Sequence, residues 1–253
     1  MIKNNIFNLV LIIGFLFLLI NCKKDNNKID THSLASNEIK IKYGNANSAI
    51  YKVYYPESNQ IENRKGMIIL AVGDGGNEND GTLNDQCKAL AQKGYVAITT
   101  TYRPFSTNYV DWMVSFKEDM DKIIAQETIA FNITHDKVVI GGVSRGGNLT
   151  LGLVTPGQMG NEPPIAGIKG VILECAGGDW WKGSAILFPT LLMSNATDTA
   201  VGTVVEEFIN GLESNSNPDV KNKSKVLSIP GEGHCTSINQ YKDFIVNNID
   251  SWF

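Results

Sequence analysis

One serine in this 253-residue chain stands where a nucleophile would be placed. Gly142-Val143-Ser144-Arg145-Gly146 reads G-x-S-x-G. It follows the apolar run 137–142 (KVVIGG) and opens a segment of helical spacing from about 145 to 154. A serine on a sharp strand-to-helix turn has its oxygen lifted clear of the backbone. It also meets the free N–H groups and positive dipole end of the helix, which favour negative charge developing on a reacting oxygen. The two glycines let strand and helix approach closely. An ordinary glycine-rich turn could carry the same residues without the chemistry. A serine nucleophile needs a base, and the chain has three histidines. His32 lies in a polar N-terminal stretch, and His135 in a surface turn ahead of a strand. His234 sits on the glycine-rich segment 229–234 (IPGEGH), just behind the last strand. A neutral imidazole there suits proton transfer near pH 7.

The rest of the chain must bring those positions together. Segments 38–43 and 48–55 alternate apolar and polar residues around Gly44-Asn45, which predicts an antiparallel hairpin. From 67 the texture changes to continuous apolar runs, as strands buried on both faces require. Such runs fall at 67–72, 95–101, 137–142, 168–174, 189–194 and 224–229. Helical spacing falls between them at 82–93, 108–130, 145–154, 200–213 and 236–250. Alternation of this kind predicts right-handed crossovers and an eight-stranded, mostly parallel sheet. Ligands on such sheets gather at the carboxyl ends of the strands. Ser144, the segment after 189–194 and His234 all lie there.

The stretch 135–153 (HDKVVIGGVSRGGNLTLGL) resembles the elbow region of esterases in the α/β-hydrolase superfamily, and 98–104 (ITTTYRP) occupies the place of a strand that often ends in Tyr-Arg there. The resemblance spans residues 38–253 and implies the α/β-hydrolase fold, with helices flanking the sheet and no cofactor. It makes Ser144 the nucleophile and His234 the general base. Asp198, in 195–201 (NATDTAV), becomes the acid that orients the imidazole, although a helix N-cap would also suit it. Asp179 is the alternative acid. The segment 72–76 (VGDGG) takes the place of the oxyanion loop, with Val72 or Gly73 where the family often has histidine. One backbone N–H would come from Asp74 or Gly75 and its partner from Arg145. Only a short connection, 175–188, stands where many lipases insert a lid, which implies an open cleft. Trp180 and Trp181 could line an aromatic binding surface in it or simply pack. The expectation is hydrolysis of exposed or short-chain carboxylic esters, such as acyl groups on glycans. An amidase or peptidase with the same triad, or an inactive surface protein binding a glycan or partner, are the alternatives.

A formal charge of −4 without a Lys/Arg block argues against nucleic acid. The segment 74–81 (DGGNENDG) lacks calcium-loop spacing, so no metal is expected. The cysteines are Cys22, Cys87, Cys175 and Cys235, with no C-x-x-C spacing. Cys175 and Cys235 could pair; neither lies on an elbow, which disfavours a cysteine nucleophile. Lys3, the apolar run 6–20 and Leu19-Ile20-Asn21-Cys22 resemble a bacterial lipoprotein signal. That implies a signal peptide over 1–21, a lipidated Cys22 and a flexible tether over 22–37. An uncleaved anchor helix is the alternative. Either form places the catalytic domain, 38–253, outside the cytoplasm and beside a membrane, with Lys23 resembling an outer-membrane sorting signal.

Overall fold

The computed structural model describes residues 39–57, 64–105, 107–177, 180–198, 200 and 204–253. The segments expected to be a signal peptide and a tether, with Cys22 and His32, and Asp179 lie outside the described residues, as does the side chain of Trp180. The described strands are β1 (Ile39–Ala46), β2 (Ala49–Pro56), β3 (Met67–Ala71), β4 (Val96–Thr100), β5 (Val138–Val143), β6 (Gly170–Glu174), β7 (Thr190–Thr197) and β8 (Lys225–Glu232). They form one sheet in the order β1-β2-β4-β3-β5-β6-β7-β8. The β1–β2 and β2–β4 pairs are antiparallel, and every other pair is parallel. The helices are α1 (Gly81–Gln92), α2 (Tyr109–Phe131), α3 (Arg145–Val154), α4 (Trp180–Ala185), α5 (Val204–Ser214), α6 (Pro218–Lys223) and α7 (Ile238–Asn248).

The apolar runs follow from burial on both faces of the sheet. In β3, Met67, Ile69 and Ala71 project into one layer with Trp112, Met113, Phe116 and Ile123 of α2 and Leu149 of α3. Ile68 and Leu70 project into the other layer, with Leu83, Cys87 and Leu90 of α1 and Tyr241 and Ile245 of α7. Consecutive positions therefore all need apolar side chains. Ile123 is buried in the first layer, far along α2 from the sheet's carboxyl edge. Ile123→Ala should cost about 2–5 kcal/mol of stability. Denaturant unfolding would show this as a lower midpoint with an unchanged slope.

Two expectations about the elements need correction. The hairpin turns at Asn47-Ser48, since Ala46 pairs with Ala49. Asn47 takes the left-handed conformation there (φ 52°), a region Asn tolerates. Gly44 stays in the strand because its missing Cβ leaves room for the Tyr51 ring. The strands β7 and β8 run past 194 and 229, to Thr197 and Glu232. A register shift falls between Asn195 and Thr197, where Asn195 pairs with Ile229 but Thr197 with Glu232. The extra residue on β8 is a bulge, which bends the ends of the strands ahead of Asp198 and His234. The short connection 175–188 carries the helix α4.

Candidate active site

The serine sits where strand becomes helix with no intervening residue. β5 ends at Val143 and α3 begins at Arg145. Ser144 has φ 50° and ψ −114°, a conformation a non-glycine residue holds only when its surroundings impose it. Those surroundings are hydrogen bonds on both sides. The Ser144 N–H donates to the Glu174 carbonyl at 2.8 Å, and the Ser144 carbonyl accepts from the Asn148 N–H at 2.9 Å. Thr150 on α3 donates its hydroxyl toward the Gly141 and Gly146 carbonyls at 3.1 and 2.8 Å, tying the helix back to the strand. A Cβ on Gly146 would lie 2.6 Å from the Ala71 carbonyl oxygen, so only glycine fits beside β3.

The two polar partners arrive from the last strands of the sheet. Asp198 follows β7 and is buried, and His234 follows β8 and is about one-third exposed. The imidazole Nδ1 stands 3.0 and 2.8 Å from the two Asp198 oxygens, and Nε2 stands 2.7 Å from Ser144 Oγ. A carboxylate can only accept, so Nδ1 carries the proton and Nε2 is left to accept from the serine hydroxyl. That is the arrangement for removing the hydroxyl proton during attack. Asp198 Oδ1 also accepts from the Ala200 N–H at 3.0 Å, a local turn rather than a helix N-cap, since α5 begins only at Val204. Gly233 donates its N–H to the Thr197 carbonyl at 3.2 Å, joining the base loop to the acid loop.

The loop after β3 passes beside the serine, where a Cβ on Gly73 would sit 3.6 Å from the Ser144 Cβ. Gly76 N–H donates to the Gly73 carbonyl at 3.1 Å, closing a β-turn with Asp74 and Gly75 at its centre. Gly75 has φ 72°, as the third residue of a type II turn requires. The central N–H groups of Asp74 and Gly75 take no part in that bond. The Asp74 side chain is exposed.

A cavity of about 630 Å³ opens between this loop and Arg145. Its aromatic walls are Tyr102, Phe105, Tyr109 and Trp112. Trp181, for which a binding surface and plain packing are both open in the sequence, is not among the lining residues; it is exposed on α4, where the Lys182 ammonium lies 5.7 Å from its ring centre. The connection carrying Trp181 is committed to packing α4 on α5, as Gly183 lying against the Phe208 carbonyl shows. The aromatic wall comes instead from the β4–α2 segment. It is held there by Arg103, whose Nε and Nη2 bond Asp119 at 3.1 and 2.8 Å, and by the Trp112 indole donating to the Arg103 carbonyl at 2.7 Å. The adjacent Tyr-Arg at 102–103 was the available signal for this wall. Burial, with Asp74 nearby, pushes the Tyr102 phenol up to about 12, so it remains neutral.

Glu174 is fully buried below the elbow, with Gln86 donating to its Oε2 at 2.7 Å. Burial pushes its carboxyl up from 4.5 to about 8 despite that bond. A raised folded value means its stability contribution is complete below pH 4.5 and is lost as pH climbs to about 8. Glu174→Gln should remove this slope, becoming more stable relative to the wild type as pH rises. Denaturant midpoints at pH 5 and pH 8 check it; parallel shifts of both proteins would contradict it.

No family model matches the chain, and no curated protein sequence does. Solved structures share its fold. Esterase B from Lactobacillus rhamnosis (HN001) superposes with a TM-score of 0.62 at 12% identity, over 94% of each chain. Native esterase 2 from Thermogutta terrifontis gives 0.59 at 17% identity, over 85% of this chain and 91% of that one. The same esterase phosphonylated by cyclosarin gives 0.58 at 19% identity, over 84% and 94%. The chain thus has the α/β-hydrolase fold, an eight-stranded, mostly parallel sheet with flanking helices.

Proposed function

We propose that the protein is a serine hydrolase that cleaves carboxylic esters through an acyl-enzyme. The observation that carries this reading is the unbroken chain of contacts Asp198–His234–Ser144, ending on a serine held in the strained elbow conformation. Ser144 Oγ attacks the carbonyl carbon while His234 Nε2 takes its proton. The oxyanion is met by the backbone N–H groups of Arg145 and of Asp74 or Gly75, the residues flanking the serine's approach. His234 then protonates the departing alcohol, and water enters by the same steps in reverse roles to release the acid. Structural neighbours named as esterases, one of them in a phosphonylated form, support the same chemistry.

The substrate we favour is an exposed or short-chain ester, such as an acyl group on a glycan, with one apolar or planar part seated in the aromatic cavity beside Arg145. The apolar start of the chain and Cys22 support an exported, lipid-anchored enzyme tethered to a bacterial membrane. The test is a panel of nitrophenyl acyl esters of increasing chain length, acetylated and feruloylated glycans, and the matching anilides. Short or aromatic acyl groups should give the highest kcat/KM. Equal turnover of anilides would assign an amidase, and no turnover of any would assign a binding protein.

A further inference from the structure

The base sits on a segment with few non-covalent anchors. Residues 231–236 are exposed or half-buried, and Gly231 and Gly233 take φ values of 112° and 125°. Among the described residues, besides the imidazole's own contacts and the pairing of Glu232 with Thr197 at the end of β8, the segment is held by Gly233 N–H on the Thr197 carbonyl and by Thr236 Oγ1 on Asn195 Oδ1 at 3.3 Å. Sparse burial of this kind marks a locally weak part of a fold. The residue directly after the base, Cys235, is joined by a disulfide to Cys175, 60 positions earlier.

Cys175 is the opposite of a loose anchor. It is fully buried directly after β6, and its N–H donates to the Met193 carbonyl at 2.8 Å. Its chain neighbour Glu174 accepts the Ser144 N–H. One end of the bridge is therefore fixed one residue from the backbone group that fixes the nucleophile, and the other is one residue from the base. Both half-cystines take left-handed backbone conformations, φ 46° and 55°, which non-glycine residues adopt at a cost.

We propose that the Cys175–Cys235 disulfide is a positioning element for the base, holding His234 Nε2 in reach of Ser144 Oγ. The inference rests on the acyl-transfer reading of this site. On reduction by a dithiol, the S–S bond breaks and each sulfur takes a proton, while the reductant is oxidised to its own disulfide. Beyond Glu232 the base segment is then left to its non-covalent contacts, and the imidazole departs from the serine while the sheet stays folded. Proximity is what is lost, so kcat falls while the cavity, and hence KM, is little changed.

The experiment uses the full chain in oxidised form, after dithiothreitol, and as the Cys175→Ala/Cys235→Ala double variant. Ile123→Ala serves as a control destabilised away from the site. Measurements are made at a temperature where circular dichroism shows all forms folded. Reduction and the double variant should each lower kcat on a soluble nitrophenyl ester about 10²-fold with KM within about twofold. The downfield proton resonance of His234 Nδ1 should broaden or vanish, while Ile123→Ala keeps both kcat and the resonance. Unchanged kcat in the folded, reduced enzyme would overturn the proposal and leave the bridge a plain structural cross-link. So would an equal loss of kcat in Ile123→Ala. If the oxidised enzyme turns over no ester, the acyl-transfer reading fails instead, and the Nδ1 resonance alone still reports whether the bridge holds the base.

Discussion

Ser144→Ala should lower kcat on a nitrophenyl ester by about 10⁴–10⁶-fold, with KM changed little. The reason is specific to the elbow. Among the described residues no other hydroxyl bonds the imidazole: His234 Nε2 has Ser144 Oγ at 2.7 Å as its partner. Removing that oxygen leaves a base with no attacking atom to activate. Some acceleration over water should survive, because the oxyanion loop and the cavity are untouched and can still polarise a bound carbonyl. Alanine adds no volume, so the unfolding midpoint should stay near that of the wild type. A variant that keeps a tenth of the activity would place the nucleophile elsewhere.

Asp198→Asn is the second large effect, a fall of about 10⁴-fold in kcat. An asparagine keeps the shape of the side chain, and its amide oxygen can still accept the Ala200 N–H that Asp198 Oδ1 now takes. The local turn is therefore preserved and the orienting charge is lost. The amide NH₂ turned to His234 would donate to Nδ1, forcing the ring proton onto Nε2, which then cannot accept from Ser144. It also removes the carboxylate that stabilises the imidazolium formed during attack. Steady-state kinetics beside a melting curve separates the two roles of this residue. A turn-holding role alone would leave both the melting temperature and kcat intact in this variant; the triad role lowers kcat while the melting temperature stays near that of the wild type.

The parts of the structure legible in the sequence were those set by short-range physics. Uniform burial of β3 and β5 wrote itself as MIILA and VVIGGV, and the elbow needed glycines that no other residue could replace beside β3. The acid and base lay at strand ends because the sheet's topology puts loops there. What stayed hidden depended on distant contacts. The aromatic cavity wall is assembled by Arg103 gripping Asp119, 16 residues away, and nothing in Phe105 or Tyr109 taken alone signals that they line a cavity with Arg145. Tryptophans at 180 and 181 drew attention by type, yet Trp181 stays out of the cavity because α4 is committed to α5. The pairing of Cys175 with Cys235 was open in sequence, since 60 positions separate them; the fold sets their Cα atoms 5.4 Å apart. The bulge at the ends of β7 and β8 had no sequence sign at all, although it shapes the approach of acid to base.

The most direct test of the triad is stoichiometric reaction with a fluorophosphonate, followed by mass mapping of the modified peptide. One adduct per chain on Ser144, lost in Ser144→Ala and formed far more slowly in His234→Ala, is the predicted result. An adduct on another residue, or none on the folded protein, would mean that the hydroxyl beside this imidazole is not a nucleophile.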